Sequence, residues 1–408
     1  MKKVVVLIPD AESILAPLVV DCLVQKSEIR LVLISQEKKA ALRYSRIVDT
    51  YVYYGSENSI ENWFNQIQLQ ISIHHVDVVM PLFLSDERYD YYFLNREKLN
   101  AKTIPMADPR SFKLVKNKLN FGNWLQSNTI KHPTLYNLYA IQNGQMTLSS
   151  IKFPVLLKPI HGAGGIGIKK INTGEELFTI LNDKINIENY LCQTFIKGQD
   201  LGCGALCFNG LVLAITTQSY FGEPTTDYTT PFLINISLES DVVQLVAEIV
   251  SKLNWTGLIN FDLLRDGKTN ELFVLEANPR FWRSIPAAAA AGVNFPYLAC
   301  IVAIEGSFNE CNFANFFPTT DKLPSNNPSS NYSFPRYFKP TSYGNSKGAL
   351  FWNLKRLIHF YKEPFQFIHS PIQIWVTDPL PKLYDLYRIF CLRLKNIIKR
   401  NFRIFNKA

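Results

Sequence analysis

The chain has 408 residues, 47% hydrophobic and 19% charged, with 43 Lys/Arg against 34 Asp/Glu for a formal charge of +9. That length fits two or three domains with ordinary buried cores. No uninterrupted apolar run is long enough to span a bilayer, the six histidines lack the ligand spacing of a zinc site, and seven scattered cysteines without a C-x-x-C pair fit reduced, mostly buried thiols in a cytoplasm.

The chain opens with MKKVVVLIPD. Pro9, Asp10 and Glu12 interrupt this short apolar run, so it reads as a first β-strand and not as a secretion signal. Up to residue 105, strand and helix patterns alternate: VVVLIP, APLVVDCLVQ, RLVLIS, ENWFNQIQLQIS, VDVVMPL, RYDYYFLNREKL. Such alternation predicts a parallel sheet with helices on both faces. PDAES follows the first strand where a dinucleotide site would have a Gly-rich turn, so residues 1–105 read as a Rossmann-like scaffold without that fingerprint.

Residues 106–310 form a second part, beginning with one helix expected around 111–127. FPVLLKPIHGAGGIGIKKIN (153–172) follows as strand, glycine cluster and strand. Gly162, Gly164 and Gly167 satisfy G-x-G-x-x-G literally, yet the alternating IGIKKI comes next instead of the helix that the fingerprint requires. The segment therefore reads as a flap whose backbone N–H groups close over phosphates, with Lys158 reaching the same phosphates as a point charge. A flexible hairpin with a solvated lysine is the competing reading.

TGEELFTILND is a helix with Thr173 as N-cap. YLCQTFI is a strand, and Asn209-Gly210 joins two more. Cys203 and Cys207 could form a metal pair, but small apolar strand positions are the better account. QSYFGEPTTDYTTPF (218–232) is polar, aromatic and turn-rich and reads as a mobile loop, in which Tyr220, Glu223 and Asp227 are substrate candidates. The helix DVVQLVAEIVSKL leads to the strands GLINFDLLR and ELFVLEAN across the turn Asp266-Gly267.

Glu276 and Asn278 are two apart on the last strand and so face the same way. One anionic and one neutral oxygen ligand converge there with Arg280 just beyond, the way Mg²⁺ is held beside phosphate. An edge strand ending at an Asn-Pro turn is the bland alternative. Trp282, Arg283 and Ser284 come next and are expected on the acceptor side. Arg283 either pairs with a substrate carboxylate or is a surface arginine. His161, beside the flap, is an acid–base candidate, with a solvated loop histidine the preferred reading. AAAAAG (287–292) is a tightly packed helix.

In their order along the chain these elements resemble the ATP-grasp superfamily over about residues 1–310. The resemblance implies an α/β chain, α+β in its second part. A Rossmann-like domain would occupy 1–105 and an ATP-grasp domain 106–310, with a flap subdomain at about 130–200 and a helical extension at 311–408. Lys118, in NKLNFGNWLQ, stands where the family has its first ATP lysine, with Asn117 in place of the usual acid. Lys158 matches the second lysine, and Gly162, Gly164 and Gly165 fall within the matching flap. QTFIKGQD resembles the adenine segment. Gln193 stands where the family often has Glu, Thr194, Phe195 and Ile196 would supply backbone contacts, and Asp200 would bond the ribose. Asp262, Glu276 and Asn278 match the metal-ligand trio, and Arg280 the phosphate arginine.

The implied cofactors are ATP and two Mg²⁺ (or Mn²⁺) ions. The implied chemistry activates a substrate carboxylate as an acyl phosphate, assisted by Lys158 and Arg280, and an amine then displaces phosphate. Arg283 and Ser284 would meet the substrate. NPRFWRS and the DPLP at 378–381 resemble predicted carboligases of bacterial surface-polysaccharide and peptide gene clusters. Two other readings stay open: an ATP-grasp enzyme whose acceptor is bicarbonate or a thiol, and a non-catalytic nucleotide-binding module.

Within 311–408, TTDKLPSNNPSSNYS reads as a linker, followed by helical segments. Eight Lys/Arg and one acid, Asp385, fall between 381 and 408, so most of the excess charge sits there. Leu383, Leu386, Tyr387, Phe390, Leu394, Ile397, Ile398 and Phe405 recur among them at helical spacing. Such a helix either lies on an anionic membrane or packs its stripe on the protein. Charge confined to one helix argues against nucleic acid. The expected place is the cytoplasm, with peripheral membrane contact through 383–408 and a homodimer left open.

Overall fold

The computed structural model describes residues 3–55, 59–162, 165–182, 186–221, 233–305, 320–322, 333–335, 341–344 and 370–391. The chain divides into two compact units: Met1–Ile104 with Cys300–Gly306 and Ser370–Ala408, and Pro105–Ala299 with Ser307–His369.

In the first unit, β1 (Val4–Ile8), β2 (Ile29–Ser35), β3 (Thr50–Tyr53), β4 (Val78–Val79) and β5 (Lys102–Thr103) form one sheet in the order β3-β2-β1-β4-β5. Every pairing is parallel, as the alternating pattern predicts. VVVLI and IRLVLIS are almost wholly buried, as strands covered on both faces must be. Helices α1 (Ala16–Leu23), α2 (Ile60–His74) and α3 (Asp86–Asn95) connect them. The Ser59 and Ser85 hydroxyls start α2 and α3 by accepting the backbone N–H of Asn62 and Arg88.

Just past β1, Asp10 is fully buried. It accepts from the N–H of Leu82 and Phe83 at 3.0 and 3.2 Å and from Arg88 Nη1 at 2.8 Å. Arg88 Nη2 donates to Gln36 at 2.7 Å. The chain is helical again at 379–391. Asp378, the first residue of DPLP, pins the start of that helix by accepting from Ser45 Oγ and Arg46 N. Leu383, Leu386, Tyr387 and Phe390 are exposed; Leu394, Ile397, Ile398 and Phe405 lie outside the described residues. Among the described residues no helix is long and apolar enough to cross a membrane.

The second unit opens with α4 (Pro109–Lys116) and α5 (Lys118–Ser127) where one helix was expected. Asn117 adopts φ −84°, ψ 111°, and its side-chain oxygen accepts from Leu119 N and Asn120 N. An amide side chain that caps a new helix competes with continuing the old one.

Then come β6 (Leu135–Tyr136), α6 (Leu138–Gln142), β7 (Val155–Pro159), β8 (Lys169–Ile171), α7 (Gly174–Asn182) and β9 (Tyr190–Thr194). The strands form a four-stranded antiparallel sheet in the order β6-β9-β7-β8. Val155, Leu157, Ile171, Leu177 and Leu181 fill its core. Thr173 caps α7 through its hydroxyl to Glu176 N, and Glu176 returns a carboxylate to Asn172 N.

The larger sheet contains β10 (Gly198–Phe208), β11 (Leu211–Phe221), β12 (Leu233–Ser237), β13 (Gly257–Asp266), β14 (Leu272–Asn278) and the strand Thr341–Gly344. Its order is β14-β13-β10-β11-β12 and then Thr341–Gly344 at the edge, all antiparallel. Asn209 and Gly210 take φ of 47° and 76° in the β10–β11 turn, as an Asn-Gly hairpin requires. Helix α8 (Ser240–Leu253) packs on β10 and β11.

Two expectations are corrected here. Residues 218–221 are not loop but the end of β11, paired with β12, while Glu223 and Asp227 lie outside the described residues. Beyond 311, strands pair where a linker and the start of the helical segments were expected, and helices follow at Ile372–Thr377 and 379–391. Thr320–Lys322 pairs with Ser333–Pro335, and Thr341–Gly344 joins the large sheet. These pairings are made with partners distant in sequence, which local composition does not encode.

Candidate functional site

A cleft of about 560 Å³ opens in the second unit between the two sheets. One wall comes from the smaller sheet and its loop: Lys158, His161, Gly162, Gly165 and the segment Gln193–Ile196. The other comes from the larger sheet: Asp200, Tyr220, Asp262 and Glu276. Lys118 also lines it.

Sheet register explains the second wall. Gly202 lies opposite Gln218 on one neighbouring strand and opposite Asp262 on the other, and Asp262 lies opposite Glu276. Cross-strand partners, and residues two apart, share a face. One face therefore carries Asp200, Gln218, Tyr220, Asp262, Glu276 and Asn278.

Asn278 Nδ2 lies 3.3 Å from Asp262 Oδ2 and 3.4 Å from Glu276 Oε1. Asn260 Nδ2 reaches Asp262 Oδ1 at 3.4 Å. Arg280 donates to Asn278 Oδ1 at 3.1 Å and to the Phe281 carbonyl at 3.0 Å. Lys118 Nζ sits 3.2 Å from Glu276 Oε2 and donates to the Gly162 carbonyl at 3.0 Å. Sequence reading placed Lys118, Asp262, Glu276, Asn278 and Arg280 in one site, and the structure brings all five together.

Electrostatics separates the two acids. Burial, reinforced by the Glu276 charge, raises the Asp262 carboxyl far above its usual range. Burial alone would raise Glu276 too. The Lys118 charge, the hydrogen bond with Asp262 and the Lys158 charge outweigh it and hold Glu276 below its usual value. Lys158 is pulled down by burial, against the attraction of Glu276. Two carboxyl groups and a turnable carboxamide, all oxygen donors, thus converge with too little positive charge beside Asp262 to keep it ionised. That donor set fits a hard divalent cation. The described residues hold no group of three or more His, Cys, Asp or Glu placed to bind a metal.

The flap is a strand–turn–strand as expected, with Gly162, Gly165 and Gly167 at positive φ; Gly164 lies outside the described residues. On the adenine segment, Gln193 is buried and Phe195 carries Lys170 Nζ 4.2 Å above its ring. Of the three residues expected to give a base backbone contacts, two have their amides engaged: Thr194 N with Thr134 O and Phe195 N with Pro154 O, each at 3.0 Å. The Ile196 amide is the one of the three without such a bond among the described residues. Asp200 lines the cleft, its carboxyl raised by burial against the opposing Lys158 charge.

Trp282 does not line an acceptor surface. It is buried, edge-on to Phe295 with ring centroids 4.9 Å apart, and it fills the space beside Gly204, where an added Cβ would come within 2.0 Å of the indole. Arg283 is exposed. Ser284 donates to Gln218 Oε1 at 2.5 Å, and Gln218 Nε2 donates to Tyr220 Oη at 2.6 Å. Sequence reading gave Gln218 no role. The signal available was Gly202 and Gly204 at alternate positions of one strand, a mark of close approach by other groups.

Residues 115–284 match the family described as the ATP-grasp domain. A carbamoyl-phosphate synthase of Methanobrevibacter smithii is 27% identical over 271 residues, 58% of this chain and 72% of that protein. A D-alanine–D-alanine ligase of Legionella pneumophila is 26% identical over 180 residues, 37% of this chain and 48% of that one. The chain spans only 20% of the matched carbamoyl phosphate synthase large chains of Methanospirillum hungatei and Clostridium beijerinckii. Among solved structures, the biotin carboxylase domain of the Hydrogenobacter thermophilus 2-oxoglutarate carboxylase superposes with a TM-score of 0.59 at 16% identity, covering 84% of this chain and 73% of that one. Residues 115–284 are thus an ATP-grasp domain by sequence similarity, in a chain whose fold resembles that of the solved structure.

Proposed function

We propose that the protein is an ATP-dependent ligase that activates a substrate carboxylate as an acyl phosphate and joins it to an amine. The observation that supports this is the meeting, at one cleft, of Lys118 and Lys158 with Asp262, Glu276, Asn278 and Arg280.

The divalent metal, Mg²⁺ or Mn²⁺, would be held by Asp262, Glu276 and Asn278 and would supply charge neutralisation at the phosphates. Lys118 and Lys158 would neutralise phosphate oxygens as point charges. The glycines at 162, 165 and 167 would let backbone N–H groups approach the same oxygens. Ile196 would donate to the base, with Gln193 beside it, and Asp200 would accept from the ribose hydroxyls. Arg280 would stabilise equatorial oxygens during phosphoryl transfer and the oxyanion formed when the amine attacks. A closed flap excludes water, which otherwise hydrolyses the acyl phosphate. The cytoplasm, where ATP is made available, is the proposed location.

The test is ADP formation from ATP and Mg²⁺ with paired pools of carboxylates and amines. Turnover that needs one of each supports the ligase. Turnover with bicarbonate alone would replace it with carboxylation, and MgADP binding without turnover on any pool would leave a nucleotide-binding module.

A further inference from the structure

We infer that the phenol of Tyr220 is the hydrogen-bond donor that holds the reacting acyl oxygen of the substrate, aimed by a chain running from Ser284 through Gln218. This rests on the ligase reading above.

The chain has a direction. Ser284 Oγ donates to Gln218 Oε1 at 2.5 Å, and Gln218 Nε2 donates to Tyr220 Oη at 2.6 Å. A carboxamide presents an acceptor oxygen and a donor nitrogen at opposite corners, so a serine on the oxygen turns the nitrogen to the phenol. The phenol oxygen accepts from that nitrogen, and its own proton is free to point elsewhere. Tyr220 lines the cleft.

Position follows from a glycine. A Cβ on Gly202 would stand 2.4 Å from Gln218 Nε2 and 2.8 Å from Tyr220 Oη, so both groups lie over the place where a side chain would be. Gly202 is also the cross-strand partner of Asp262. Adjacent strands are about 4.8 Å apart, which stations the phenol oxygen next to the acid–amide cluster where phosphoryl transfer would occur. Burial raises the phenol well above its usual value, so it stays a neutral donor at working pH. A neutral donor beside that cluster suits a carboxylate oxygen that becomes an acyl-phosphate carbonyl and then an oxyanion. Tyr220 is thus assigned as a catalytic residue, and Gln218 and Ser284 as positioning residues.

The experiment measures ADP formation with the carboxylate–amine pair that gives wild-type turnover, alongside MgADP binding by calorimetry. Tyr220→Phe is expected to lower kcat about a hundredfold, the scale of removing one oxyanion donor, with the MgADP Kd unchanged within about twofold. Ser284→Ala and Gln218→Met should each cost about tenfold in kcat, and Ser284→Ala should add nothing on top of Tyr220→Phe, because it acts only through the phenol. Full activity in Tyr220→Phe, or additive losses in the double variant, overturns the inference. Should Tyr220→Phe fail to fold, 3-fluorotyrosine at 220 keeps the shape and acidifies the phenol. A kcat that falls at lower pH than in the wild type supports the assignment, and an unmoved profile overturns it. A wild type that binds MgADP but turns over no pair sinks the ligase reading itself, and the Tyr220 assignment with it.

Discussion

Asp10, fully buried just past β1, and Asp262, partly buried on β13 at the cleft, are carboxyls at the two units' sheets, and desolvation raises both. Asp10 is met by a guanidinium at 2.8 Å and two backbone N–H groups. Asp262 is met by carboxamides at 3.3 and 3.4 Å and faces a second carboxyl, Glu276. Desolvating an ion costs several kcal/mol, and the cost is offset only by a close counter-charge with directional bonds. Where the fold supplies that counter-charge internally, the acid clamps the end of a strand to a turn and a helix. Where it supplies another acid and a cleft, the carboxyl stays raised and open to whatever enters that cleft.

Glu276→Ala breaks the open cluster. ADP formation should fall by about a thousandfold or more, as expected when a metal ligand and its charge are lost together, with little change in the thermal melt; an active variant would sink the metal assignment. Arg88→Met breaks the closed one. It should cost about 3–5 kcal/mol of stability by leaving a buried charge uncompensated, read from urea unfolding, while MgADP affinity holds. The sign with pH is fixed: a buried acid whose folded value is raised penalises the fold as pH rises above its unfolded value, so this loss should be larger at pH 7 than at pH 4.5. An equal loss at both would show that Asp10 is not the group left exposed to the change.

Gly204→Ala sharpens the comparison at the edge of the site. The new methyl meets the Trp282 ring, and overpacking of this kind costs about 1–3 kcal/mol, which a melt would register. The smallest effect belongs to Arg265, which bridges Glu239 at 2.8 Å and Asp241 at 2.7 Å at the start of α8. The Arg265 hydrogen bond holds the Asp241 carboxyl below its usual value. Its contribution is complete above the ordinary carboxylate range and is lost as pH falls through the lowered value. Asp241→Asn should therefore cost about 0.5 kcal/mol at pH 7, given its exposure, and nothing measurable near pH 2.

Much of this was legible beforehand for a physical reason. Lys158 with its glycine cluster, and Glu276 with Asn278, are read from neighbours within a few residues, where strand alternation and turn chemistry act. Asn117 was legible in principle, since its capping side chain is local, yet the apolar periodicity around it reads as one helix. The burial of Trp282, the strand position of Tyr220 and the role of Gln218 were not. Trp282 is buried because Gly204 makes room on another strand, and Tyr220 leaves the loop because β12 extends the pairing of β11 through Phe221. Both outcomes depend on register between distant segments.

One ammonium, that of Lys118, touches the Gly162 carbonyl on the flap turn and the Glu276 carboxylate on the larger sheet at once. A phosphate that draws this ammonium away loosens the turn and uncovers Glu276 in the same movement. On the proposed roles of Lys118 and Glu276, nucleotide and divalent metal would be linked thermodynamically: each would clear the way for the other, and titrating either one alone should yield the weaker isotherm.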